Sequence, residues 1–347
     1  MSQKAIVLAP PSPSVLRTTD RYNAMARELG GQVEFHLVDS DAGFEDIVRA
    51  CEGAIAVTTP AYRKLRRDIV NDIARRVPTL KLLQASSAGT DTFDKPGLAA
   101  LGVAVANHGG SNAVAVAEHA IALMVAVWRK LDQQIAAVRA GEWSAPITSQ
   151  PVAEFRTLVG KRVGIVGLGR IGSRIAKRLR GWECEVVFTD PEPFDDAYVR
   201  ACDATRVDLD TLLATSDVVS LSVPLEPSTR HMLSDREFGL MKAGAIVINT
   251  SRGPVIDEPA LVRALLSGKV FGAGLDVVEK EPIAMDNPLL GLRNVIVTPH
   301  QGTRSLETEE NIVKFVVGNI ARLARGEAPQ SVVRPVPANA SNGLHSG

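Results

Sequence analysis

The stretch RVGIVGLGRIGSRIAKRLRGWECEVVFTD, residues 162–190, constrains the fold more than any other part of the chain. The run RVGIVG reads as a strand buried on both faces, because its apolar residues are nearly continuous. Gly167, Gly169 and Gly172 follow at once in GxGxxG spacing, then a helical pattern, then a second apolar run closed by Asp190. The first glycine permits a tight turn, the second lets backbone approach a pyrophosphate, and the third lets helix and strand pack closely. The helix N-terminus then offers N–H groups and a positive dipole end to the anion. A carboxylate about 20 residues past the motif accepts hydrogen bonds from ribose hydroxyls. Strand, motif, helix and acid coincide here, which predicts a dinucleotide site. Asp190 repels a 2′-phosphate, and Pro191, Glu192 and Pro193 bring no arginine directly after it. NAD is therefore expected in preference to NADP.

The rest of the chain repeats the same alternation. Apolar runs at 4–9, 33–38, 53–58, 80–86 and 102–107 form one series, with helical stretches between them. A second series runs through 162–167, 185–190, 217–224, 244–250, 272–278 and 294–299. Strands alternating with helices mean parallel sheets with crossover connections. The expected fold class is α/β with two Rossmann-like domains: a nucleotide-binding doubly wound parallel sheet and a flavodoxin-like substrate domain. The length of 347 residues suits two such domains. A hinge is placed near 107–112. After it comes the apolar segment 113–128, too short for a membrane span and broken by Glu118 and His119, so a buried helix is expected. RAGEWSAPITSQP, 139–151, has the composition of a surface connection. Apolar spacing at Ile312, Phe315, Val316, Ile320 and Leu323 predicts a helix over 306–326, stopped by Gly326. If that helix returns to the first domain, residues 1–108 plus 306–335 form a discontinuous substrate domain and 109–305 the NAD-binding domain. The segments 112–128 and 306–326 then act as mechanical links. Residues 336–347, rich in Ser, Asn and Gly, are expected to be disordered.

Composition narrows the partners. Lysine plus arginine equals aspartate plus glutamate at 39 each, so no net field favours nucleic acid or an anionic membrane. Cys51, Cys184 and Cys202 are an odd number without CxxC, which fits a reducing compartment, the cytoplasm, and neither a disulfide framework nor a zinc site. No signal-peptide pattern opens the chain. The six histidines never fall in HxH or HExxH spacing, so no metal is expected.

Polar groups recur where the second series of strands ends, the side on which open α/β sheets bind ligands. Val223, Pro224 and Thr229 follow the run from 217; Thr250, Ser251, Arg252 and Asp257 follow that from 244. Asp276 and Glu281 follow the next, and His300 with Gly302 the last. Removing a hydride from a carbinol carbon requires loss of the hydroxyl proton, and histidine titrates near working pH. A carboxylate on the other ring nitrogen fixes the tautomer and stabilises the imidazolium, a role open to Glu281. A guanidinium can hold a substrate carboxylate through two parallel hydrogen bonds, which suits Arg252. Each has an ordinary alternative: a capping histidine, one of several acids in EKE, a loop arginine, and for Asp276 a strand-end cap. Together they point to oxidation of a hydroxyl beside a carboxylate. Hydrolysis lacks support, since there is no GxSxG and no cysteine with a plausible partner.

The segments LLQASSAGTDTFD, GSNAVAVAEHAIALM, GLGRIG, LSVPLEPST, INTSRGPVID, GLDVVEKEP and TPHQG, spread over about 80–325, resemble the D-isomer-specific 2-hydroxyacid dehydrogenases. That family includes D-lactate, glyoxylate/hydroxypyruvate and D-3-phosphoglycerate enzymes. The resemblance implies that Arg252 binds substrate carboxylate and carbonyl, that His300 is the general acid/base and that Glu281 is its partner. It further implies that Arg170 and Ile171 meet the pyrophosphate, that Asp276 holds the nicotinamide carboxamide, and that Ser87, Ala88 and Gly89 offer backbone N–H groups to the carboxylate. Homodimers pairing through the NAD-binding domains, including the helix near Glu118, are implied as well. Gln301 and Arg304 depart from the family pattern and leave the substrate open: both either reach a polar substrate tail or face solvent. Two alternatives share the fold. A formate-type dehydrogenase would carry an uncharged residue in place of Glu281, and an NAD(H)-sensing corepressor would keep the same residues without turnover.

Overall fold

The computed structural model describes residues 2–9, 17–59, 67–90, 93–143 and 151–333, with the side chains of 67–69 excepted. The expected disordered tail at 336–347 and most of the connection at 139–151 lie outside the described residues. Two compact units emerge, one built from the residues up to Asn112 together with those from Arg304, the other from Ala113 to Thr303. The sequence reading places these divisions at 108/109 and 305/306.

The first unit holds a parallel sheet of β1 (Gln3–Ala9), β2 (Val33–Asp39), β3 (Ala54–Thr59), β4 (Leu82–Ala85) and β5 (Ala104–Ala106), in the order β2-β1-β3-β4-β5. This is the flavodoxin-like order, reversing between β1 and β3. Every residue of β3 and β4 is buried, as strands covered on both faces require. One face is covered by α2 (Phe44–Cys51), α3 (Arg67–Arg76) and α4 (Lys95–Ala100), which bring Ile47, Val48, Ile73 and Leu98 onto Ile6, Val57 and Leu83. The other receives α1 (Thr19–Glu28) and the long C-terminal helix at Leu306–Ala324, through Tyr22, Ala26, Ile312, Val316 and Ile320. That last helix starts where the Ser305 hydroxyl accepts from the Thr308 N–H, satisfying one of the unpaired donors of its first turn.

The second unit opens with α5 (Ala113–Arg129) and α6 (Leu131–Arg139). Its sheet comprises β6 (Arg162–Val166), β7 (Glu185–Thr189), β8 (Thr205–Arg206), β9 (Val218–Leu221), β10 (Ala245–Asn249), β11 (Val270–Leu275) and β12 (Val295–Val297). The order β12-β11-β10-β9-β6-β7-β8 is that of the Rossmann fold with one added edge strand, all pairs parallel. Helices α7 (Gly172–Leu179), α8 (Asp196–Cys202), α9 (Leu209–Thr215), α10 (Asp235–Leu240) and α11 (Glu258–Leu266) are the crossovers. On one face α5 and α7 pack Ala120, Met124, Trp128 and Ile175 against Ile165 and Ile248. On the other, α9, α10 and α11 pack Leu212, Phe238 and Leu261 against Val219 and Val247.

Two elements depart from the sequence reading. Strand β8 is fully exposed, short and hydrophilic, so it carries no apolar signal. Helix α6 buries none of its residues and lies in a stretch without the expected strand or core pattern.

The register of the second sheet matters most for chemistry. Thr189 aligns with Val166, Val166 with Leu221, Leu221 with Asn249, Asn249 with Leu275, and Leu275 with Val297. One row of residues therefore ends six strands at the same edge. The next residue of each strand, Asp190, Gly167, Ser222, Thr250, Asp276 or Thr298, emerges at that edge too.

Candidate active site

At the β6–β9 reversal, the turn after β6 runs against the loop after β9. Gly167 has φ +94, and a Cβ there would lie 2.7 Å from the Ser222 carbonyl oxygen. At Gly172 a Cβ would fall 2.0 Å from the Gly167 carbonyl oxygen, so helix α7 can start this close to β6 only without a side chain. A Cβ on Gly169 would meet nothing within 4 Å, leaving the backbone of the second motif glycine open to a bulky group. Arg170 and Ile171 lead into α7 at the same turn. These features fit a pyrophosphate at a helix N-terminus.

Asp190 closes the turn from the other side. Its Oδ2 accepts from the Leu168 N–H at 2.7 Å and its Oδ1 from the Glu192 N–H at 2.9 Å. Although the sequence has no arginine directly after Asp190, the structure brings one there from β8. Arg206 donates to the carbonyls of Asp190 and Glu192 and lies over the rings of Phe188 and Phe194. Further along the edge, Thr229 donates to the Pro224 carbonyl at 2.7 Å and accepts from the Glu226 N–H, shaping the loop that carries Val223. The Ser222 and Thr250 hydroxyls are buried and without a hydrogen-bond partner among the described residues, two polar groups at the strand ends suited to a ligand.

The turn after β10 is built by Asn249, which is wholly buried. Its Oδ1 accepts from the Ser251 N–H and hydroxyl at 3.0 and 2.8 Å, and its Nδ2 donates to the Arg252 carbonyl at 3.0 Å. Arg252 is half-buried and donates from Nη1 to the Ser251 carbonyl at 2.8 Å. Next to it, Gly253 touches the following strand's loop: a Cβ would lie 1.8 Å from the Val278 carbonyl oxygen. Reciprocal bonds bind the same two loops, Glu279 N–H to Glu258 and Glu258 N–H to Glu279. His231 adds a 2.9 Å bond from Nε2 to the Glu279 carboxylate. The arginine loop and the glutamate loop are therefore tied to each other.

His300 Nδ1 stands 2.9 Å from Glu281 Oε2, both half-buried. This contact joins residues from two loops, and it leaves Nε2 as the other ring nitrogen. His300 has φ +54, a left-handed conformation that costs a non-glycine residue about 1–3 kcal/mol. Asp276 compensates for it. Its carbonyl accepts from the His300 N–H at 2.8 Å, and its carboxylate accepts from the Gln301 and Gly302 N–H groups at 2.9 and 2.8 Å. The Thr298 hydroxyl donates to the same carboxylate, and His119 Nε2 lies 3.0 Å from that hydroxyl and 3.4 Å from Asp276 Oδ1. Burial pushes the Asp276 carboxyl up, but the bonds from His119, Thr298 and the two backbone N–H groups outweigh it and hold the group below the ordinary carboxylate range. A carboxylate has about four acceptor positions, so these donors leave Asp276 little capacity for the carboxamide expected of it. Its visible work is to shape the His300 loop. Gln301 turns its amide back onto the Pro299 carbonyl at 3.2 Å.

Ser87, Ala88 and Gly89 belong to the first unit, at the carboxyl end of β4. There the Ser87 hydroxyl donates to the Gly89 carbonyl at 2.8 Å, and Asn107 donates to the Ala88 carbonyl. Arg206, Asn249, Thr298 and His119 do not stand out as site residues in the sequence. Only His119 gives a signal, a polar residue inside an apolar helix.

The family profile described as D-isomer specific 2-hydroxyacid dehydrogenase, NAD binding domain, matches residues 121–302. A glyoxylate reductase of Thermococcus litoralis is 38% identical over 264 residues, covering 76% of this chain and 79% of that one. A D-3-phosphoglycerate dehydrogenase of Archaeoglobus fulgidus is 35% identical over 302 residues, 86% of this chain; the match spans only 54% of that protein, about half its length. The crystal structure of Rhodotorula graminis D-mandelate dehydrogenase superposes with a TM-score of 0.82 at 29% identity, covering 97% of this chain and 99% of that one.

Proposed function

The chain belongs to the D-isomer-specific 2-hydroxyacid dehydrogenase family, and from that premise we propose that it interconverts a D-2-hydroxy acid and its 2-oxo acid with NAD. The observation carrying this reading is the 2.9 Å contact of His300 Nδ1 with Glu281, on the same strand-end edge as the glycine turn and Arg252. When bound, the nicotinamide supplies or accepts the hydride. Arg252 holds the substrate carboxylate through paired hydrogen bonds and so orients the reacting carbon. In reduction His300 gives a proton from Nε2 to the carbonyl oxygen as that oxygen becomes an alkoxide; in oxidation it takes the proton back. Glu281 holds the Nδ1 proton, fixing the tautomer and stabilising the imidazolium. Gly167, Gly169, Arg170, Ile171 and Gly172 hold the pyrophosphate, Asp190 the ribose, and Val223, Pro224, Thr229, Thr250, Ser251 and Gly302 line the remainder. Asp276 serves mainly as the positioning residue of the His300 loop.

We also place the protein in the cytoplasm as a homodimer. Cys51, Cys184 and Cys202 are free thiols, consistent with a reducing compartment. Among the described residues no helix is long and apolar enough to cross a membrane. The NAD-binding unit exposes Leu131, Ile135 and Val138 at helical spacing on α6, with Trp143 and Val152 nearby in sequence, a surface suited to burial against a second copy.

Loss of absorbance at 340 nm with NADH and glyoxylate, hydroxypyruvate, pyruvate or phenylpyruvate tests the activity. Turnover of at least one is expected. Tight NADH binding with no turnover of any would favour a dinucleotide sensor instead.

A further inference from the structure

The acidic loop between β7 and α8, which carries Asp190, is met by an opposite charge from β8. Asp190 faces back onto the glycine turn, its oxygens held by the N–H groups of Leu168 and Glu192. Arg206, 16 residues on, reaches the same loop from β8 and donates to the Asp190 and Glu192 carbonyls. Its guanidinium is fixed further by Phe188 and Phe194, 5.0 and 5.8 Å from the ring centroids. A guanidinium has five N–H donors, and these two carbonyls take only part of that capacity. Arg206 is exposed to solvent, so the remaining donors are open to an anion. The acidic side chains of that same loop, Asp190 and Glu192, oppose such an anion, and Glu192 is itself exposed.

Resting on the NAD reading above, we propose that Arg206 is a specificity residue for the adenosine end of the cofactor: it supplies a positive charge that counters the repulsion of Asp190 and lets the site take a 2′-phosphorylated dinucleotide as well. The chemistry is direct. A planar guanidinium pairs with phosphate oxygens through two parallel bonds, and a fixed one loses less freedom in doing so than a mobile lysine. The unphosphorylated cofactor presents only hydroxyls there, which Asp190 accepts and Arg206 has no need to meet. Arg206 therefore acts on the difference between the two cofactors, and Asp190 acts on it in the opposite sense.

Fluorescence titration of NADH and NADPH against the wild-type protein, R206Q, R206K, D190N and the D190N/R206Q double variant separates the outcomes without any turnover. R206Q keeps a donor for the carbonyls and removes the charge. It is expected to weaken NADPH about tenfold or more while leaving NADH within about twofold, since a bond to a charged group commonly carries a factor of that size. R206K should fall between. D190N should tighten NADPH, and adding R206Q should cancel the gain. Equal weakening of both cofactors in R206Q would make Arg206 a structural prop for the loop and overturn the proposal, as would no change in either. Failure of the wild-type protein to bind NADH would instead refute the dinucleotide reading itself.

Discussion

His300→Ala is expected to lower kcat for 2-oxo acid reduction by about 10²–10⁴-fold, the usual contribution of a positioned acid/base. NADH affinity should stay within a small factor, because the glycine turn, Asp190 and the loop after β9 are assigned no contact with the imidazole. Replacing His300 removes the only proton donor proposed for the carbonyl oxygen, whereas the loop itself is held through backbone: Asp276 binds the N–H groups of residues 300, 301 and 302. Alanine tolerates φ +54 less well than histidine, so His300→Asn, which visits the left-handed region readily, separates lost chemistry from lost loop geometry. Both variants should be slow. Steady-state kinetics paired with NADH titration checks this, and near-normal turnover in His300→Asn would remove His300 from the mechanism.

Arg252→Met should reduce kcat/KM for the 2-oxo acid by about 10²–10⁴-fold, since two charge-assisted bonds are lost and each is commonly worth about 1.5–3 kcal/mol. Much of the loss should appear in KM, with NADH binding retained. The fold is protected: Asn249 holds the Arg252 carbonyl rather than its side chain, and Gly253 fixes the turn against Val278. Arg252→Lys should recover only part of the activity, because an ammonium keeps the charge but not the planar fork. Full recovery by lysine would mean that charge alone suffices and that paired bonding does not orient the substrate.

Burial decides how much of this structure is legible in the sequence. Central strands such as β3 and β10 are covered on both faces and so read as continuous apolar runs. Strand β8 is an exposed two-residue edge and offers nothing to read. Its Arg206 is invisible for the same reason: its partners lie 16 and 14 residues away and the link is spatial. The strand-end residues are legible because apolar runs stop and polar ones begin, and His300 and Glu281, separated by 19 residues, can be paired on chemical grounds. The role of Asp276 is not legible in full. A strand-end acid can be recognised, but its hold on Gln301 and Gly302 depends on β11 and β12 ending in register, Leu275 beside Val297. Asn249 looks like an ordinary strand residue in the sequence, and only the fold shows its side chain building the turn beneath Arg252.

The most direct measurement tracks a label. With NADH deuterated at the transferring position of the nicotinamide C4 and the best of hydroxypyruvate, pyruvate and phenylpyruvate, whose products have a stereocentre at C2, the product should be the D-2-hydroxy acid carrying deuterium at C2, resolved by chiral chromatography and mass spectrometry. A product of L configuration, or one without deuterium at C2, would contradict direct hydride transfer in a D-specific site.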